Sequence, residues 1–187
     1  MECGNLQRIV EELRQYSRRV REEEVRALAE SCVRARRIFV AGAGRSGFAA
    51  RGFANRLMHL GRTVYLVGET TTPSIGPGDL LVIGSGSGAT ASLVTFAERA
   101  KAAGAAIATL TIFPNAAIGS MADVTVTLPG ASPKKETGAA DSAVSIQPMG
   151  SLFEQLSWLV YDSAVLTSMS LTGETGEGMY LRHANLE

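Results

Sequence analysis

Along residues 6–33 the apolar side chains of Leu6, Ile9, Val10, Leu13, Tyr16, Val20, Val25, Leu28 and Cys32 recur mostly at three- and four-residue steps among many charges. This spacing gathers them on one face of a 3.6-residue helix and predicts one long or two short amphipathic helices. From residue 37 the period changes. Short unbroken apolar runs at 37–41, 63–67, 79–83, 105–112 and 124–128 are bounded by Gly, Pro or Asn, the pattern of strands buried on both faces of a parallel sheet. Helical spacing returns between them, most clearly over 46–60 and 90–103, so strand and helix alternate. Parallel strands need crossover connections, and the helices that make the crossovers cover both faces of the sheet. The expected fold is therefore α/β, a three-layer α/β/α sandwich around a parallel five-stranded sheet.

Residues 130–148 interrupt the alternation with Pro133, Lys134, Lys135, Gly138 and Ser142 and few large apolar side chains, which reads as a functional loop. Helical spacing resumes over 150–171 through Leu152, Phe153, Leu156, Leu159, Val160 and Val165, with Trp158 and Tyr161 adding bulk, and is read as mostly core. The last residues, 182–187, read Arg-His-Ala-Asn-Leu-Glu, dense in hydrogen-bonding groups where a tail would ordinarily fray, a sign that it docks. A single domain over residues 1–187 accommodates all of this, with N-terminal helices over 4–34 and a C-terminal helix and tail over 150–187.

Charge narrows the function. Eighteen basic residues balance eighteen acidic ones, so no net field gathers nucleic acid or anionic lipid. Glu2, Arg8, Glu11 and Glu12 do not fit a secretory signal, and no uncharged apolar run reaches membrane-span length; a cytoplasmic location is expected. Cys3 and Cys32 form no Cys-x-x-Cys, and His59 and His183 are the two imidazoles of the chain. With no metal-ligand spacing, metal-independent chemistry without a cofactor is expected.

Candidate chemistry starts at residues 80–90, Leu-Leu-Val-Ile-Gly-Ser-Gly-Ser-Gly-Ala-Thr. An apolar strand runs into a glycine and hydroxyl loop that opens a helix. Backbone N–H groups over 85–89 and the helix N-terminus can converge on one anion there, joined by the hydroxyls of Ser85, Ser87 and Thr90. Gly86, Gly88 and Ala89 complete this candidate phosphate cradle. It lacks the lysine of a nucleotide-binding Walker loop. A second loop, Gly-Ala-Gly-Arg-Ser-Gly at 42–47, matches the dinucleotide pattern literally, with Glu69 beyond it. Glu69 nevertheless falls past Gly68, outside the strand end, and a dinucleotide fold has no use for the second cradle. Both loops instead lie at strand carboxyl ends and would meet at the crevice where a doubly wound sheet binds its ligand, with Arg45 and Ser46 in position to touch it.

These residues carry a resemblance. The chain is similar to the SIS (sugar isomerase) domain family, whose phosphate loop Ser-x-Ser-Gly-x-Thr is met by Ser85, Ser87, Gly88 and Thr90. Within it the chain resembles the 6-phospho-3-hexuloisomerase branch, through AGAGRSG at 41–47, RLMH at 56–59, TTTP at 70–73, GSLFEQ at 150–155 and RHANLE at 182–187. The resemblance covers residues 37–187, with no pattern carried over 131–149. It implies conversion of D-arabino-3-hexulose 6-phosphate to fructose 6-phosphate through an enediol, in the ribulose monophosphate pathway. It also implies a flavodoxin-like sheet, a homo-oligomer (dimer or tetramer) and a functional link to 3-hexulose-6-phosphate synthase. The alternatives are an isomerase of another sugar phosphate and a non-catalytic sugar-phosphate sensor, the latter disfavoured by the acids Glu22, Glu23, Glu24 and Glu30 where a DNA-reading face would be basic.

On that resemblance Glu154 is the expected proton-transferring base, since an acid flanked by Phe153 and Leu156 is costly unless employed. A first-turn glutamate that complements the helix dipole is the plain alternative. His183 is the second catalytic candidate, as proton shuttle or enediolate stabiliser. His59, about 20 Å along its helix from the phosphate end, acts only if it crosses a subunit interface and is left out of the set.

Overall fold

The structure is a computed structural model that describes residues 3–130 and 144–186. Most of the loop read at 130–148 therefore lies outside the described residues. The amphipathic N-terminal region forms two helices, α1 (Gly4–Ser17) and α2 (Glu22–Arg34). Next come β1 (Arg37–Gly42), α3 (Gly44–His59), β2 (Val64–Leu66), β3 (Asp79–Gly84), α4 (Ala91–Ala102), β4 (Ala106–Thr111), β5 (Val124–Thr127), α5 (Ser151–Thr172) and α6 (Gly176–Tyr180).

All strand pairs are parallel, in the order β2-β1-β3-β4-β5. The five apolar runs are the five strands, so the expected sandwich is the fold observed. Alternation along each strand divides the core. Ile38, Val40, Leu80, Val82, Ala108 and Leu110 face the side covered by α1, α2, α3 and α5. Phe39, Ala41, Leu81, Ile83 and Ile107 face the other side, which α4 covers with Leu93, Ala97 and Ala100. The chain runs from β1 outward to β2 and then returns to β3 on the other flank, so the strand order reverses between β1 and β3. That reversal opens a crevice at the carboxyl ends of these two strands.

The glycines of the 42–47 motif are explained by packing. A Cβ on Gly42 would lie 2.8 Å from Gly47 Cα, and one on Gly47 would lie 2.8 Å from Gly42 O. The motif lets α3 start against the end of β1. Glu69 pairs with Arg51 at 3.3 Å.

Helix α5 is only partly core. Leu152, Phe153, Leu156, Val160, Tyr161, Ala164 and Val165 are buried, but Trp158, Leu159 and Leu166 are 47, 49 and 65% exposed. They form a second apolar face that one chain leaves uncovered. Among the described residues no helix is long and apolar enough to cross a membrane.

At the opposite end of the sheet from the crevice, the Asp79 side chain is fully shielded from solvent. It accepts hydrogen bonds from Arg37 at 2.6 and 3.0 Å, from Arg36 at 3.2 Å and from Gly76 N at 3.0 Å. The Arg37 hydrogen bond, above all, holds this carboxyl below the usual carboxylate range. A lowered folded-state pKa stabilises the fold fully above the unfolded-state value of about 4, and the contribution is lost as pH falls through the folded value. Asp79→Asn is expected to cost on the order of 3 kcal/mol at neutral pH and to flatten the acid limb of stability against pH. Urea titrations from pH 7 to pH 3 measure both.

Burial also fixes cysteine reactivity. Cys32 is 1% exposed and its thiol is pushed up to about 12, chiefly by desolvation, whereas Cys3 is exposed. Thiolate is the reactive form, so a maleimide should label Cys3 alone in the native protein and both thiols in urea; mass spectrometry of the adducts checks this.

Candidate active site

The crevice is a cleft of about 440 Å³ lined by residues 43–46 from the start of α3, residues 84–87 and Thr90 from the β3–α4 loop, and Met149, Gly150, Phe153 and Glu154 from the start of α5. Neither Ala43 nor Thr90 caps its helix with a side chain, so helix N–H donors and positive dipole ends face the cleft. Ser85 N–H is spent on Leu110 O and Gly88 N–H on Ser85 O. This leaves the Gly86, Ser87 and Thr90 backbone groups and the loop hydroxyls as donors to a ligand.

Ser85 Oγ carries the strongest sign of one. It is buried and lacks a hydrogen-bond partner among the described residues, a state that costs free energy unless something binds there. Ser87 Oγ and Thr90 Oγ1 sit 3.4 Å apart beside it. Gly88 and Ala89, read from sequence as ligand contacts, do not line the cleft. Gly88 makes the turn instead: its φ is +61°, and a Cβ there would meet Ala116 at 2.8 Å. The Ala89 N–H points to Ser87 Oγ at 3.4 Å. The threonines at 70–72 also stay outside, with Thr72 Oγ1 closing a turn onto Leu66 O at 2.7 Å.

Among the described residues Glu154 and Arg45 are the charged residues of this lining, and they are paired, Arg45 Nε donating to Glu154 Oε2 at 2.5 Å. Sequence could not show this contact, which spans 109 positions. Glu154 is set by the segment before its helix. Glu12 on α1 accepts from Ile146 N at 2.7 Å and Gln147 Nε2 at 2.8 Å, Gln147 Nε2 also reaches Gln155 Oε1 at 2.9 Å, and Tyr16 donates to Val144 O. Between this anchor and Glu154 stands Met149, held at φ +56°. Strain of this kind persists where the surrounding structure enforces it, commonly beside ligand sites.

His183 lies elsewhere. It stacks on His59 with ring centroids 5.3 Å apart, in a second cavity lined also by Arg56, Asp162, Leu166, Met169 and Tyr180. From Arg45 to His59 along α3 is about 21 Å, so within one chain His183 and Glu154 do not share a cavity. The expected pair is thus divided, and His59, left out on the same helical argument, belongs beside His183. Burial, with Arg56 and His183 adding charge repulsion, lowers the His59 pKa from its ordinary value. Of the tail expected to dock, Arg182 is anchored on its own chain, donating to His59 O at 2.9 Å and Glu174 Oε2 at 2.8 Å, and His183 stacks on His59, while residues 184–186 are exposed. Among the described residues no cluster of three His, Cys, Asp or Glu is arranged to hold a metal ion.

A sugar-phosphate-type cleft at the switch point of a 2-1-3-4-5 parallel sheet defines a class, and sequence comparison agrees with it: the chain belongs to the SIS domain family, which matches residues 32–157. It is 46% identical over 179 residues to the 3-hexulose-6-phosphate isomerase of Bacillus subtilis strain 168, covering 96% of this chain and 95% of the relative. To the Mycobacterium gastri 3-hexulose-6-phosphate isomerase it is 44% identical over 184 residues, covering 98 and 90%. A crystal structure from Methanococcus jannaschii, from which a molecular function of 3-hexulose-6-phosphate isomerase was inferred, superposes with a TM-score of 0.81 at 31% identity over 98% of this chain and 99% of that one.

Proposed function

We propose that this protein is an isomerase that interconverts D-arabino-3-hexulose 6-phosphate and fructose 6-phosphate. The observation that carries the reading is the buried Ser85 hydroxyl, without a hydrogen-bond partner among the described residues, in a cleft where Glu154 is the carboxylate those residues supply. Near full-length identity of 46 and 44% to isomerases of this substrate supports it.

The substrate's phosphate is an anion that fits the convergent N-termini of α3 and α4 with the hydroxyls of Ser85, Ser87 and Thr90. Its ketone is at carbon 3, and the hydroxyl that would close a five-membered ring is esterified, so it enters open-chain and needs no ring-opening acid. Glu154 takes the proton from carbon 2, the electron pair of that bond forms the enediol, and the same proton or its solvent-exchanged equivalent returns to carbon 3. The oxygen on carbon 3 gains a proton as that on carbon 2 loses one. No redox partner is consumed.

The oxygen-to-oxygen proton needs a shuttle, and His183 serves from a second copy. The Glu154 cleft and the His59–His183 cavity lie at opposite ends of the α3–α5 pair, and Phe48, Trp158, Leu159 and Leu166 form an exposed apolar strip between them. An isologous two-fold contact over this strip runs the partner's helices antiparallel and sets one cavity against the other. The direct test is formation of fructose 6-phosphate from enzymatically generated 3-hexulose 6-phosphate; failure to form it, with the ketose still bound, returns the protein to the sensor reading.

A further inference from the structure

Among the described residues Arg45 and Glu154 are the cation and the anion of the cleft lining, and each holds the other. Arg45 stands in the first turn of α3, which has no acidic residue, so its charge adds to the positive end of the helix dipole. Such a placement needs an anion nearby. Glu154 provides one from α5, with its side chain 19% exposed, while the Arg45 side chain is 65% exposed and free to swing. Arg45 also lines the cleft beside Ser85, Ser87 and Thr90, within the region where a phosphate would bring a second, doubly charged anion.

We infer that Arg45 is a phosphate-operated latch on Glu154. The inference rests on the isomerase reading above. Arg45 Nε occupies a lone pair of Glu154 Oε2, and a lone pair held by a donor is closed to the carbon-2 proton. An arriving phosphate dianion outcompetes the monoanionic carboxylate for the guanidinium. Arg45 swings onto it and frees the Oε2 lone pair only once a substrate is seated. Arg45 is thus a positioning residue that links recognition at carbon 6 to proton transfer at carbon 2.

The experiment divides the substrate in two. A five-carbon 3-ketose lacking carbon 6 cannot close a five-membered ring on its carbonyl, and phosphite supplies the missing dianion. Exchange of the carbon-2 hydrogen with deuterium oxide is followed by NMR, with and without phosphite, for the unsubstituted protein, Arg45→Gln and Arg45→Lys. In the unsubstituted protein phosphite should raise exchange on the order of tenfold to a hundredfold, the range of one charge-assisted hydrogen bond. Arg45→Gln should exchange the bare ketose faster than the unsubstituted protein does and gain less than about twofold from phosphite; Arg45→Lys, with one charge but no fork, should fall between. With the intact phosphorylated substrate, Arg45→Gln should raise KM far more than it lowers kcat. Phosphite activation that is absent from the unsubstituted protein, or that survives in Arg45→Gln, overturns the latch while turnover of the intact substrate leaves the isomerase reading standing. No turnover of the intact substrate by the unsubstituted protein sinks both.

Discussion

Glu154→Gln should reduce kcat on the order of a thousandfold and leave sugar-phosphate affinity within a few-fold, as expected when a general base is removed without disturbing its surroundings. Glutamine keeps the volume of the side chain and an oxygen that can still accept from Arg45 Nε, now at 2.5 Å from Glu154 Oε2. Ser85, Ser87 and Thr90, the phosphate ligands proposed above, lie on another element and should be unchanged. Steady-state kinetics with calorimetric binding of fructose 6-phosphate separates the two effects. A variant that loses binding together with turnover would reassign Glu154 to the support of the loop.

The second large effect comes from mixing two inactive proteins. Because Glu154 and His183 occupy different cavities of one chain, Glu154→Gln and His183→Ala should each be nearly silent alone. Unfolded together and refolded in equal amounts, they should regain about a quarter of full activity, since half the two-fold pairs are mixed and each mixed pair has one intact site of two. Activity that stays at the level of the separate variants would place both residues' roles within one chain, or remove His183 from the chemistry.

Much of this molecule can be read from its sequence, for identifiable reasons. The five apolar runs are the five parallel strands, and in β1, β3 and β4 at the centre of the sheet burial on both faces makes the pattern continuous; the two helices after β1 and β3 begin where glycine loops end. The glycine and hydroxyl loop after β3 is local in sequence and so is legible, down to the turn that Gly88 fills at φ +61°. What escapes is long-range, or lies on a face that one chain leaves uncovered. The Arg45–Glu154 pair joins positions 109 apart, and nothing in either local pattern announces it. The stack of His183 on His59 depends on Arg182 tying the tail to the end of α3. Trp158, Leu159 and Leu166 keep the helical apolar spacing of a core, yet that spacing records burial without recording by whom, and a face covered by a second chain looks the same as one covered by the sheet.

The central claim is that Glu154 moves one proton between carbons 2 and 3 of a phosphorylated ketose. Conversion of 3-hexulose 6-phosphate in deuterium oxide, followed by NMR of the product, tests it most directly. The product should be fructose 6-phosphate carrying deuterium at carbon 3 and none at carbon 1, formed on the order of a thousandfold more slowly by Glu154→Gln. Label at carbon 1, or labelled fructose 6-phosphate formed equally well by Glu154→Gln, would contradict it.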